Sequence, residues 1–226
     1  LGADWQAKFS EFSHDAVAAA SLGQVHKAKS LDGKDLAVKL QYPNMGSTVE
    51  ADLNQLALIL ALFRRYDASI DTSEIKEELG ARLREELNYR LEAKHMAIYG
   101  EMLSAEKSVH VPKIYPDLST DRLLTMSWLN GRPLMDYKDA DQETRNKIAI
   151  NLFRAWYVPL HKYGIIHGDP HLGNYTVTDD LSLNLLDFGC VRKFPPRFIG
   201  GVIDLYKALR DGDRDLAAHA YESWGF

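Results

Sequence analysis

Two short segments restrict this chain more than anything else in it. The first is His167-Gly168-Asp169-Pro170-His171-Leu172-Gly173-Asn174, and the second is Asp187-Phe188-Gly189. Asp169 and Asn174 stand five residues apart, on a stretch that reads as a loop between a helix (about Gln142 to Tyr163) and a hairpin (Tyr175 to Val177 with Leu183 to Leu186). Asp187 then follows the second strand of that hairpin directly. Phosphoryl transfer needs a carboxylate beside the acceptor, oxygen ligands for magnesium and a cation on the phosphates. Asp169, Asn174 and Asp187 are the candidates for the carboxylate and metal-ligand roles. An Asp-Phe-Gly alone is a weak signal; behind a correctly spaced Asp and Asn it is specific.

A different chemistry fits part of the pattern. His167, Asp169 and His171 alternate, and alternating His and Asp can supply zinc ligands. That reading leaves Asn174 and Asp187 without a use. His167 reads as a buttress of the loop rather than a proton shuttle, and the role of His171 stays open.

Upstream, Val25 to Ala28 and Asp35 to Gln41 read as two strands joined at Leu31-Asp32-Gly33-Lys34, where Asp-Gly is a hairpin signal. Leu36-Ala37-Val38-Lys39 reads like a strand whose lysine meets the nucleotide phosphates. Before it lies Ala18-Ala19-Ala20-Ser21-Leu22-Gly23-Gln24-Val25. Laid on a glycine-rich phosphate loop, Gly23 and Val25 match, while Ala18 and Ala20 replace glycines and so restrict the loop. Taken alone, the stretch is equally an Ala-rich helix start.

Helical spacing runs from Thr48 to Tyr66 through Leu53, Leu56, Ala57, Leu60 and Phe63. A long charged helix follows from Thr72 to Leu103, opened by Thr72 or Ser73 with Glu74 in its first turn. Val111 to Tyr115 and Leu123 to Leu129 read as strands. Asn130-Gly131-Arg132-Pro133 breaks the chain, which divides it into lobes at 1–129 and 130–226. A last helix is expected from Arg197 to Trp224. Strands first and helices later is an α+β pattern.

The chain has 226 residues, 46% hydrophobic and 26% charged, enough for a real core or two small lobes. A net charge of −5 without a Lys/Arg block argues against nucleic acid as a partner. The lone Cys190 fits a reducing compartment and reads as a packing residue. No signal or membrane-spanning segment is visible. Leu1 and the closing Glu222 to Phe226 read as the ends of a piece of a longer chain.

Together, Ala18 to His26, Val38-Lys39-Leu40-Gln41-Tyr42-Pro43, Glu86-Leu87-Asn88-Tyr89 with Glu92-Ala93, His167 to Asn174 and Asp187 to Gly189 resemble the UbiB-like atypical kinases, linked to ubiquinone and other isoprenoid-lipid metabolism. The resemblance spans nearly the whole chain and implies a bilobal protein-kinase-like α+β fold that binds Mg2+ with ATP or ADP. It implies that Lys39 pairs with Glu86 and that Glu92 is a further carboxylate near the nucleotide. Ala18, Ala19, Ala20, Ser21, Gly23 and Val25 would cover the phosphates. Met126 would stand as gatekeeper, with Ser127 to Leu129 offering backbone groups to adenine. Asp169 would be catalytic, with Asn174 and Asp187 on the metal. The family has Glu-x-Asp where this chain has Glu86-Leu87-Asn88, and its N-terminal Lys-x-Gly-Gln motif is not in this sequence.

The residues argue against a conventional protein kinase. Gly168 replaces the Arg that reads an activation-loop phosphate, and no Ser, Thr or Tyr lies between Asp187 and Pro196, so no phosphosite can switch that segment. The expectation is an atypical kinase or ATPase acting with a lipid or quinone precursor, or on a lipid-biosynthesis protein complex. Its place would be cytoplasmic or on the cytoplasmic face of a membrane, mitochondrial or plastid in a eukaryote, with membrane association through flanking segments. A small-molecule kinase of the aminoglycoside or choline type and a nucleotide-gated binding module without catalysis are the alternatives.

Overall fold

The computed structural model describes residues 1–66 and 73–225, without the side chains of 64–66, 73 and 74. In chain order its strands are β1 (Phe9–Ala20), β2 (Gly23–Ser30), β3 (Asp35–Gln41), β4 (Val109–His110), β5 (Leu123–Ser127), β6 (Arg132–Pro133), β7 (Ile165–His167), β8 (Tyr175–Val177), β9 (Leu183–Leu185) and β10 (Val191–Lys193). Its α-helices are α1 (Met45–Tyr66), α2 (Ser73–Glu86), α3 (Tyr89–Met102), α4 (Gln142–Tyr163), α5 (Pro196–Asp211) and α6 (Arg214–Trp224). The architecture is α+β. Two compact units form: residues 1–97, 112–129 and 187–190, and residues 98–111, 130–186 and 191–226. The chain therefore changes unit at Leu129/Asn130, and two segments cross that sequence boundary.

In the first unit an antiparallel sheet runs in the order β1-β2-β3-β5. The β2–β3 turn is the Asp-Gly turn, with Gly33 at φ +82° and Ser30 Oγ accepting the Lys34 N–H at 2.9 Å. Alternation puts Leu36 and Val38 on one face, where they pack with Phe9 and Ala28 into the core. Lys39 points to the other face. The Ala-rich stretch is neither a loop nor a helix start: it closes β1, and Ala20 pairs with Gly23 across a two-residue turn at Ser21-Leu22. Alanine is a poor strand former, which is why β1 escapes a reading of the sequence.

The long helix expected from Thr72 to Leu103 is two, broken at Leu87-Asn88. The cap expected at Thr72 lies outside the described residues, as do the side chains of Ser73 and Glu74. Val111 to Tyr115 is not a strand; Pro112 interrupts it, and only Ile114 bridges to Met126.

In the second unit Asp141 caps α4 by accepting the Thr144 N–H at 2.9 Å. Gly164 ends α4 in the left-handed region (φ +66°), where an added Cβ would lie 2.8 Å from the Phe194 carbonyl. One residue later β7 begins and pairs antiparallel with β10. A second sheet runs β4-β9-β8-β6. Its buried Asn184 donates to the Asn130 carbonyl and Thr176 Oγ1, each at 3.0 Å. The helix expected from Arg197 to Trp224 is also two, divided at Gly212 (φ +72°) and restarted by the Asp213 cap. Among the described residues no helix is long and apolar enough to cross a membrane.

Candidate functional site

The register of the first unit's sheet gathers most of the residues expected to meet a nucleotide. Ala18 lies opposite Val25, Val25 opposite Lys39 and Lys39 opposite Leu124. Directly paired residues share a face, so Ala18, Val25 and Lys39 form one row, and Met126, opposite Ala37, stands one step along. Ala20 and Gly23 continue the same face. Ala19, paired with Gln24, falls on the opposite face. Ser21 sits exposed in the turn. Gly23 has a packing reason to be glycine. An added Cβ would lie 2.1 Å from the Leu40 carbonyl oxygen and 3.1 Å from Tyr89 Oη.

Met126 is buried in β5 and Leu129 is half-buried. The Ser127 N–H donates to the Lys113 carbonyl at 2.8 Å and the Trp128 N–H to the Asp35 carbonyl at 3.0 Å. Those two amides are committed to the protein, which narrows the adenine-facing backbone expected from Ser127 to Leu129.

The carboxylate that receives Lys39 is Glu92, not Glu86. Lys39 Nζ donates to both Glu92 oxygens, at 2.8 and 3.0 Å. The break at Leu87-Asn88 explains the correction. Glu86 ends α2 and is half-buried, whereas Glu92 lies one turn into α3 and is 2% exposed. Asn88 starts α3 by accepting the Leu91 N–H on its side chain at 3.0 Å. Gln41, two residues after Lys39, donates to the Leu87 carbonyl, which lies just past the end of α2 and also accepts the Tyr89 N–H at 3.2 Å. The strand of Lys39 is thus tied to the break that orients Glu92. Tyr89 covers Lys39 with its ring, 5.3 Å from Nζ to the centroid.

Asp187 completes the cluster. Its Oδ2 accepts from Lys39 Nζ at 2.8 Å and its Oδ1 from the Gly189 N–H at 2.9 Å. Phe188 is fully buried, and its carbonyl lies 3.1 Å from Nδ1 of His95, one turn after Glu92 on α3. Burial pulls the Lys39 ammonium toward the neutral form, but the Glu92 and Asp187 carboxylates outweigh it and hold its pKa above the ordinary lysine value. Burial likewise pushes the Glu92 carboxyl up, against the pull of Lys39. Gln41 and Tyr89 stand in the sequence as parts of the resemblance without a role of their own, and His95 is unmarked there. Their spacing from Glu92 and Lys39 was the available signal, one that becomes readable only once the helix break is known.

In the second unit the loop after β7 is held from within. Asn174 Nδ2 donates to Asp169 Oδ2 at 2.7 Å, and the His171 N–H donates to Asp169 Oδ1 at 3.1 Å. The Gly173 N–H donates to His171 Nδ1 at 3.1 Å, and the Asp169 N–H to His167 Nδ1 at 3.3 Å. His167 is 2% exposed, set among the rings of Tyr99, Trp156 and Tyr175, a buttress in position. Among the described residues no three His, Cys, Asp or Glu side chains gather as a metal-ligand set, so His167, Asp169 and His171 are not assembled for zinc. After Gly189 the chain re-enters a strand by Val191, which pairs with His167.

Magnesium prefers a carboxylate or two plus phosphate oxygens. Asn174 gives its N–H to Asp169, and its amide oxygen is an acceptor of the kind that magnesium takes. Asp187 presents a carboxylate, a ligand type that magnesium takes.

An antiparallel sheet with a buried lysine–glutamate pair, an Asp-Phe-Gly segment and an Asp-x-x-x-x-Asn loop define a protein-kinase-like fold. The chain belongs to the ABC1 atypical kinase-like domain family, whose model matches residues 1–221. It is 33% identical over 215 residues to the zebrafish (Danio rerio) "Atypical kinase COQ8B, mitochondrial", covering 95% of this chain and 34% of that protein. It is 32% identical over 214 residues to the Saccharomyces cerevisiae "Atypical kinase COQ8, mitochondrial", covering 93% of this chain and 43% of that protein. A solved structure, that of Rv3197 from Mycobacterium tuberculosis in complex with erythromycin, superposes with a TM-score of 0.83 at 30% identity, over 98% of this chain and 56% of that one. The chain therefore spans less than half the length of these two curated relatives.

Proposed function

We propose that this chain binds Mg2+ with ATP or ADP and performs slow phosphoryl chemistry, as a kinase or ATPase serving ubiquinone or other isoprenoid-lipid metabolism rather than protein phosphorylation. The observation that carries the reading is Lys39, buried and held between Glu92 and Asp187. A permanently charged ammonium on that sheet face suits the α- and β-phosphates, and Asp187 beside it suits a magnesium ion. Bound magnesium would neutralise phosphate charge and polarise the transferred group. Asn174 is its second protein ligand in this reading. Asp169, its carboxylate oriented by Asn174 and the His171 amide, accepts the proton of the attacking hydroxyl or water. The strand that follows Gly189 so closely leaves little segment for a protein substrate to dock on. A lipid or quinone precursor, or a protein complex that handles one, is the proposed partner, with any membrane contact made through flanking segments.

Melting temperature with magnesium and ATP or ADP tests the nucleotide site. Ligand at a hundredfold over its Kd stabilises by about 2.7 kcal/mol, and Asp187→Asn should remove the magnesium-dependent part. A wild type with no magnesium-dependent shift would overturn the reading. Phosphate release, with and without lipid vesicles or phenolic quinone-precursor mimics, then separates an enzyme from a binding module. Turnover abolished by Asp169→Asn supports the enzyme. A small-molecule acceptor is the second reading, supported by the catalytic loop and by the erythromycin bound to the Mycobacterium tuberculosis relative; phosphotransfer to an aminoglycoside or choline would favour it.

A further inference from the structure

We propose that His171 is a binding residue for the transferred phosphoryl group, through the N–H at its Nε2; the inference rests on the Mg-nucleotide reading above. The loop itself carries the argument. Within residues 167–174, all of them described, three side chains bear nitrogen: His167, His171 and Asn174. His167 is buried among aromatic rings, and Asn174 Nδ2 is committed to Asp169. No Lys or Arg lies in the segment. His171 is exposed, two residues from Asp169. Its Nδ1 accepts the Gly173 N–H at 3.1 Å, which in the neutral ring fixes the proton on Nε2. Ring geometry sets Nε2 on the edge away from the bonded Nδ1. The same residue's backbone N–H donates to Asp169 Oδ1 at 3.1 Å, so the donor and the acceptor-side carboxylate are held by one residue. Charge on the equatorial phosphoryl oxygens is what such a fixed donor stabilises. In hydrolysis the bond from the γ-phosphorus to the bridging oxygen breaks and the bond to water oxygen forms. The water proton goes to Asp169, and His171 transfers none.

The competing role is a loop cap alone, and two substitutions separate them. Asn in place of His171 presents an amide oxygen near Nδ1, keeping the Gly173 contact while losing the outer donor. Gln presents its amide N–H near Nε2, keeping the donor while losing the cap. The readout is the melting shift given by magnesium, ADP and aluminium fluoride together, measured against magnesium and ADP alone, so turnover is not required. The wild type and His171→Gln should gain an added shift with fluoride. His171→Asn should melt like the wild type with magnesium and ADP, yet bind the fluoride complex roughly a hundredfold more weakly. If His171→Asn keeps the full added shift, or the wild type shows none, the role of His171 is overturned while the nucleotide site stands. If the wild type shows no shift with magnesium and ADP, it is the nucleotide reading that has failed.

Discussion

Lys39 and Glu92, 53 residues apart in sequence, meet in a two-point ion pair that is almost wholly buried. Neither charge has water to fall back on, so each depends on the other. A third charge, Asp187, shares the same ammonium. The arrangement explains why a lysine can sit in the middle of a strand whose neighbours Leu36 and Val38 are fully buried.

Breaking this pair should cost far more than removing the carboxylate at the end of α2. Glu92→Gln leaves the buried ammonium with Asp187 alone, and loss of one partner of a buried pair costs about 3–5 kcal/mol. Glu86→Gln, on a half-buried side chain with no such partner role, should stay within about 0.5 kcal/mol of the wild type. Midpoints of urea denaturation for the two variants decide it. Equal losses would mean that the register of α3 against β3 is wrong.

Asn88 should matter as a helix cap rather than as a missing charge. Asn88→Ala removes the side-chain acceptor of the Leu91 N–H, which keeps the Asn88 carbonyl at 2.9 Å, and should cost up to about 1 kcal/mol. Asn88→Asp keeps the cap and adds a negative charge at the helix start, a gain of about 0.3–1 kcal/mol. Because the cap begins the helix that carries Glu92, the loss in Asn88→Ala should also weaken magnesium-nucleotide binding. Calorimetric melting of the three proteins, with and without ligand, would show the order Asp, Asn, Ala. An Ala variant as stable as wild type would sink the capping role.

Which parts of this were legible follows from the range of each signal. Lys39, Asp169, Asn174 and Asp187 lie in short segments whose residue order is itself the signal, and α4 reads correctly from Gln142 to Tyr163 because Asp141 and Gly164 mark its ends. The break at Leu87-Asn88 carries no Gly or Pro, so the sequence fits a continuous helix equally well, and the lysine partner that the resemblance implies, Glu86, stands six residues before Glu92. Gly212 followed by Asp213 was a readable stop and start between α5 and α6. The strand at Ala18 to Ala20 could not be read locally at all. It is held by pairing with Gly23 to Val25 at the sheet edge, a tertiary effect that overrides the weak preference of alanine.

Gly23 tests whether that edge is held by packing. A methyl group there would meet backbone, the Leu40 carbonyl, at 2.1 Å, and backbone cannot swing aside. Gly23→Ala should therefore lower stability by about 1–3 kcal/mol as an overpacked site and push β2 away from β3, disturbing Lys39. Ala20→Gly, at the paired position on β1, adds no atoms and should cost no more than about 1 kcal/mol. Amide hydrogen exchange across β2 and β3 gives the local readout. Unchanged protection in Gly23→Ala would show that the close approach is not tight in solution.

The tyrosines set how the fold responds to alkali. Burial raises the phenol pKa of Tyr89 and of Tyr99 above the ordinary value near 10. A raised folded-state pKa means that, above about pH 10, the unfolded chain has released protons that the folded one retains. Stability from this source is therefore complete below the unfolded value and declines as pH rises from there through the folded values. A stepwise pH jump followed by near-ultraviolet absorbance should show an immediate phase and a second, slower phase that coincides with unfolding and carries Tyr89 and Tyr99. Tyr99→Phe should shrink only the slower phase. If its loss instead reduced the immediate phase, Tyr99 would be reachable by hydroxide in the native state, and its burial would not be what holds the proton.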